Sequence, residues 1–176
     1  NIQAEKMLTY ELGYKVNVLP TLSFDFAGYL NKYDDLIEFA SKTPFLETTN
    51  GVRLVAPFVF ENSLKGEAYG FELSSEWRPV KTWRLLASYT WAKVDLREKV
   101  PAVLPGGFSA EDDPHHLMSV RSFLDLPRNF EFDSMVYYTG ENANRELVPY
   151  TRLDMRLGWK PIKPLELSLA GQHLLQ

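Results

Sequence analysis

The chain has 176 residues, with 19 Lys and Arg against 23 Asp and Glu for a formal net charge of -4, and it contains no cysteine. That length suits one domain with a sizeable core, and the charge excludes a basic surface for nucleic acid. Without cysteine there is no disulfide framework, thiolate nucleophile or thiolate-held zinc. No apolar run approaches the roughly 18–20 residues of a membrane-spanning helix. The polar start NIQAEK is no secretory leader; a mature secreted protein, a cytosolic one and an excised fragment are all compatible with it.

Taken in order, the elements share a period of two. In Glu5–Val18, Leu8, Tyr10, Leu12, Tyr14, Val16 and Val18 lie on one face, and Thr9, Glu11, Gly13, Lys15 and Asn17 on the other. A helix would scatter these residues round its circumference, so a strand is predicted. After a turn at Leu19-Pro20, Leu22, Phe24, Phe26, Gly28 and Leu30 alternate with Ser23, Asp25, Ala27, Tyr29 and Asn31. The pattern fades from Tyr33, and a long excursion is predicted over 33–51, with an apolar run, Val52–Phe60, leaving it. Asn62–Gly66 fits a turn or a bulge. From Ala68, Tyr69, Phe71, Leu73, Ser75 and Trp77 oppose Gly70, Glu72, Ser74 and Glu76. Arg78–Lys81 is a second short turn.

Trp83, Leu85, Ala87, Tyr89 and Trp91 then oppose Arg84, Leu86, Ser88, Thr90 and Ala92, with Leu86 the one large misfit. A long loop is predicted over 95–114. Met118, Val120, Ser122, Leu124 and Leu126 oppose Leu117, Ser119, Arg121, Phe123 and Asp125. After the short turn 127–129, Phe130, Phe132, Ser134, Val136 and Tyr138 oppose Glu131, Asp133, Met135 and Tyr137. A polar loop over 140–149 leads to a last hairpin. There Thr151, Leu153, Met155, Leu157 and Trp159 oppose Arg152, Asp154, Arg156, Gly158 and Lys160. Pro161–Pro164 turns into Leu165, Leu167 and Leu169 against Glu166, Ser168 and Ala170.

Short and long connections therefore alternate, which collects the long loops at one end. Trp77, Trp83, Phe130 and Trp159 stand beside short turns on the apolar face; Tyr138 and Tyr150 stand toward the long loops. A soluble β-sandwich also alternates, apolar in and polar out. Its strands, however, usually have 5–6 residues, whereas these run to about 10–14. That is the roughly 11 residues that cross a 25 Å apolar band at 45° tilt. Unequal loops and two aromatic belts are the marks of outer-membrane barrels. The fold class predicted is all-β, an antiparallel up-and-down meander of about eight long strands. The charged face, which includes Glu11, Glu72, Arg84, Arg121, Asp133, Arg152, Asp154 and Arg156, asks for a wider lumen than a small barrel offers.

These segments resemble a known family. EKMLTYELGYKV with LSFDFAGYLNKYDDLI, GEAYGFELSSEWRPVKTWRLLASYTWA, HHLMSVRSFLDLPRNFEFDSMVYY and VPYTRLDMRLGWKPIKPLELSLAGQHLLQ are similar, in order, to the late barrel strands of TonB-dependent outer-membrane receptors. The resemblance implies a large transmembrane barrel of about 22 strands with an N-terminal plug domain. It implies active import of ferric siderophores, cobalamin, haem or sugars, driven by the TonB complex, in the outer membrane of a Gram-negative bacterium. On that reading, residues 1–176 are a C-terminal barrel segment without plug domain, early strands or final strand, and do not transport alone. The eight charged residues named above would face the lumen. Trp77, Trp83, Trp159, Tyr138 and Tyr150 would meet the membrane interface. The partners would be outer-membrane lipid, the receptor's own plug, the TonB complex and a small-molecule or metal-chelate substrate, with no nucleic acid. A small self-contained barrel of structural or adhesive role and a soluble β-sandwich binding module are the alternatives.

No enzyme is expected, and no cofactor. His115 and His116 with Asp112 and Asp113 have the residue types of a divalent-metal site, but a polar loop entering a strand is the plainer account. Glu131 and Asp133 are two apart on one face. A glycosidase pair would need a shaped cleft, so solvated lumen charges are expected there. GEAYG and PGG do not match a phosphate-binding loop between strand and helix.

Overall fold

The structure is a computed structural model that describes residues 2–49, 51–99, 114–142 and 148–175. The strands are β1 (Lys6–Leu19), β2 (Leu22–Ser41), β3 (Phe45–Glu47), β4 (Arg53–Val55), β5 (Phe58–Val80), β6 (Trp83–Glu98), β7 (His116–Leu126), β8 (Phe130–Thr139), β9 (Tyr150–Ile162) and β10 (Leu165–Gly171). Eight form one sheet in the order β1-β2-β5-β6-β7-β8-β9-β10, and β3 and β4 make a separate hairpin. The predicted all-β meander of eight long strands is present.

The chain divides into two compact units, which are described separately. One comprises Asn1–Tyr10, Leu30–Tyr69 and Lys93–Asp113; the other comprises Glu11–Tyr29, Gly70–Ala92 and Pro114–Gln176. The first is the loop unit and the second, which holds the four short turns, the turn unit.

In the turn unit the register is regular and sorts the side chains as the alternation predicts. Leu85↔Ser122, Ala87↔Val120 and Tyr89↔Met118 pair on the apolar face, followed by Val120↔Val136, Leu124↔Phe132, Val136↔Leu153 and Phe132↔Leu157. Leu86↔Arg121, Asp125↔Glu131 and Asp133↔Arg156 pair on the charged face. Between β9 and β10 the register shifts near the turn, from Leu165↔Ile162 to Leu167↔Trp159. Pro161 falls in that step, lying in β9 and not in the turn, and it has no N–H to give the ladder.

The loop unit departs from expectation. Residues 33–41 are not a loop but the continuation of β2. Asp35 has left-handed backbone, with φ 58°, and apolar parity changes across it, from Leu22–Leu30 on even numbers to Ile37 and Phe39 on odd. One irregular residue thus resets the alternation without ending the strand. Asn62–Gly66 is not a turn either: β5 runs straight through it. A Cβ at Gly66 would lie 2.0 Å from the carbonyl oxygen of Asp95, and in the turn unit one at Gly70 would lie 2.4 Å from that of Trp91. Glycine recurs where β6 comes too close for any side chain.

Among the described residues no side chain is fully buried, and the buried apolar ones are Ala40, Leu64 and Ala68. Trp77 is 44% exposed and Leu169 76%. A soluble sandwich buries its apolar face against a second sheet; here the aliphatic face is uncovered.

Candidate functional site

The charged face of β8, β9 and β10 carries an interlocked ion cluster. Arg156 Nη1 lies 3.0 Å from Asp133 Oδ2 and 3.2 Å from Glu131 Oε2, while Nη2 reaches Glu166. Lys160 Nζ lies 2.5 Å from Glu131 Oε1 and 3.7 Å from Glu166 Oε2. The alternation puts these groups on one face, and the register sets Asp133 directly opposite Arg156. A Cβ at Gly158 would stand 3.0–3.1 Å from the Arg156 guanidinium, so the absent side chain gives that group its resting place. The Glu131–Asp133 pair is consumed in ion pairing, with no cleft between two free carboxyls for acid/base chemistry.

A second cluster lies farther along the same face. Arg152 holds Asp154 through two bonds, Nε to Oδ1 at 2.9 Å and Nη2 to Oδ2 at 2.5 Å, and Asp154 also accepts from the His173 N–H at 3.1 Å. The Tyr137 ring lies 5.6 Å from the Arg152 guanidinium and 5.8 Å from that of Arg121. Arg84 rests over Phe123 at 4.6 Å. Aromatic faces thus hold cations on the polar side of the sheet. Tyr137 and Phe123 were not foreseen as site residues, since only the cross-strand register brings them to arginines. Glu11 and Glu72 lie on strands β1 and β5 at the parity expected of the charged face.

On the apolar face Phe130 stacks on Trp159 at 5.4 Å and 6°, and the Trp83 indole N–H donates to the Ser122 hydroxyl at 2.9 Å. Phe71 joins Phe26, Tyr89 and Trp91 at 5.7–6.0 Å. Tyr138 pairs with Thr151 on this face. Tyr150 pairs with Thr139 and, by its even number, is in phase with Arg152 and Asp154. His116 Nδ1 is 2.9 Å from the Tyr89 hydroxyl, and its ring stacks on that of Tyr89. The His115 carbonyl accepts from the Ala92 N–H at 3.1 Å. Asp112 and Asp113, the other members of the metal candidate, lie outside the described residues.

The loop unit has its own polar centre. Lys6 Nζ reaches Asp35 Oδ2 at 2.6 Å, and Lys99 bridges Asp35 and Asp34, the latter at 2.6 Å. Hydrogen bonds from Lys6 and then Lys99 pull the Asp35 carboxyl down to about 2. The Asn62 side chain accepts from the Gln3 N–H at 2.7 Å and donates to the Gln3 carbonyl at 3.0 Å and the Asp35 carbonyl at 2.6 Å. It thereby ties three main-chain groups, two of them on Gln3, which precedes β1. Ile37 N–H donates to Glu5 at 2.8 Å. Glu38, 6% exposed, accepts from Ser63, and Phe39 packs on Phe58 and Phe60 at 5.1 Å.

Known proteins match this arrangement. The chain resembles the ferric-catecholate import receptor Fiu of E. coli at 18% identity and TM-score 0.69, covering 99% of this chain and 24% of that one. Against the FrpB iron transporter of Neisseria meningitidis the values are 15%, 0.71, 98% and 27%. Against the ferric yersiniabactin uptake receptor FyuA of Yersinia pestis they are 19%, 0.65, 97% and 25%. The chain thus spans about a quarter of the length of these structures. Among curated proteins none matches it by sequence. The family model "TonB dependent receptor-like, beta-barrel" matches residues 1–172, and the chain belongs to that family.

Proposed function

We propose that this chain is the C-terminal barrel wall of an outer-membrane receptor that imports a scarce metal chelate, such as a ferric siderophore. The observation that carries the reading is the family match over 1–172 on a sheet with one charged and one uncovered aliphatic face. In the sheet order β1 and β10 stand at opposite ends. A bilayer requires every strand edge to be paired, so this order supports a segment of a larger barrel over a small self-contained one. The solved receptors it resembles are described as importers of ferric catecholate, ferric yersiniabactin and iron, which favours an iron chelate among the substrates the family takes.

In this reading Glu11, Glu72, Arg84, Arg121, Asp133, Arg152, Asp154 and Arg156 face the lumen, joined by Tyr150, and meet the receptor's plug domain. Trp77, Trp83, Trp159 and Tyr138 meet outer-membrane lipid at its interfaces. The TonB complex energises import, and the protein does no covalent chemistry.

The test is radio-iron uptake from a panel of ferric siderophores by iron-starved cells, with and without the gene that carries this chain. Uptake of at least one chelate should fall to background on deletion and equally when TonB is removed. Unchanged uptake of every chelate would overturn the siderophore reading.

A further inference from the structure

Three of the four short connections present a cation at the tip: Lys81 between β5 and β6, Arg128 between β7 and β8, and Lys163 between β9 and β10. All three are exposed, and among the described residues none has an ion-pair partner. The nearby carboxylates Glu76, Glu131 and Glu166 are instead held by Arg78, Lys160 and Arg156. Arg128 and Asn129 both have left-handed backbone, with φ 63° and 60°. An arginine at such a position is strained where glycine or asparagine would be easy, which points to a use for its side chain. Each cation stands within four residues of an aromatic group on the apolar face: Trp83, Phe130 or Trp159. Such rings mark the headgroup level of a bilayer.

Between two of these turns lies a hollow of about 510 Å³. Leu126, Phe130 and Ile162 give it an apolar wall, and Lys160 and Lys163 bring ammonium groups to it. Asp125 and Glu131 lie on its charged side, Glu131 already taken by Lys160 and Arg156. Lys160 is paired with Glu131 and Glu166, so among the described residues Lys163 is the cation left free at the hollow. An apolar wall beside it fits a molecule with an acyl root and a negative head.

We propose that this rim binds anionic glycerophospholipid, with the phosphate held at the hollow by Lys163 and the negative heads drawn along the rim by the turn cations Arg128 and Lys81, which lie outside the hollow. The proposal rests on the membrane-receptor reading above and adds a lipid class to it. In barrels of this kind the short turns face the periplasm, so the lipid belongs to the inner leaflet.

The test uses the full-length receptor in detergent, titrated with phosphatidylglycerol or phosphatidylcholine and read by native mass spectrometry. The wild type should retain phosphatidylglycerol preferentially. The variant K81Q/R128Q/K163Q should lose that preference by about fivefold per charge. A control, K65Q/R97Q, removes two exposed cations away from the short turns and should keep it. Equal retention of the two lipids by the wild type, or an unchanged preference in the triple variant, overturns the proposal. Displacement of phosphatidylglycerol by an equal concentration of inorganic phosphate overturns it too, since the site would then be one for free anion. Siderophore uptake by the same variants separates the two readings: a lost lipid preference with uptake intact touches neither the fold nor the transport assignment.

Discussion

The turn unit and the loop unit use the same antiparallel strands, yet they are held in different ways. In the turn unit the face of each residue follows from whether its number is odd or even. Ions, aromatics and aliphatics then find partners through register alone, as Asp133 finds Arg156 and Phe130 finds Trp159. In the loop unit specific polar groups hold the backbone where parity fails, with Asp35 left-handed between Lys6 and Lys99 and Asn62 clasping Gln3. A uniform environment on each side of a sheet rewards strict alternation. Where that environment ends, local contacts take over.

That contrast can be broken most severely in the turn unit by crowding a backbone contact. Gly70→Val places a side chain against the Trp91 carbonyl, 2.4 Å from where a Cβ would stand. It should cost about 1–3 kcal/mol or prevent assembly, read as loss of the heat-modifiable band of the folded receptor. The next effect belongs to the ion cluster. Arg156→Leu leaves Glu131, Asp133 and Glu166 facing one another with only Lys160 to offset them. The melting midpoint should drop by a few degrees, the loss should shrink in high salt, and Arg156→Lys should recover only part, lacking the guanidinium fork.

In the loop unit the damage should stay local. Asn62→Ala removes three bonds to main-chain groups at a local cost of about 1–3 kcal/mol. Amide hydrogen exchange at Gln3 should quicken while protection in β7–β9 is unchanged; quickened exchange in both would refute the separation of the two units.

The smallest effect is that of acid. The Asp35 carboxyl is depressed in the fold to about 2, below its ordinary value of about 3.9. Its contribution is therefore present above pH about 4 and is lost only as pH falls toward 2. Exchange near Ile37 should be flat from pH 7 to 5 after correction for intrinsic rate, then rise below 4. Asp35→Asn should abolish that rise.

How much could be read in advance follows the same division. Met118, Val120 and Leu124 could be assigned a face from number alone, and so could Arg152, Asp154 and Arg156. Tyr150 has the parity of Arg152, which its aromatic character does not reveal. The extension of β2 to Ser41 was hidden because Asp35 shifts the period by one, and a window spanning the shift averages two opposed phases to nothing. For Asn62–Gly66 the sequence leaves a turn and a bulge open, because polar and glycine residues make either; in the structure β5 continues through them, and they serve a side-chain clasp and a close strand approach. The rings over Arg84, Arg121 and Arg152 were out of reach because cation–ring pairs depend on which strands are neighbours and in what register.

Asp35 has a further consequence for how such a protein can vary. Since β2 is two runs of opposite phase spliced at one residue, gaining or losing a single codon beside the splice would exchange the faces of Ile37 through Ser41. The run from Leu22 to Leu30 would keep its own. Phe39 and Glu38, now on opposite sides, would trade places in one mutational step. A surface that point substitutions alter one side chain at a time can thus be turned over whole, with the strand beneath it undisturbed.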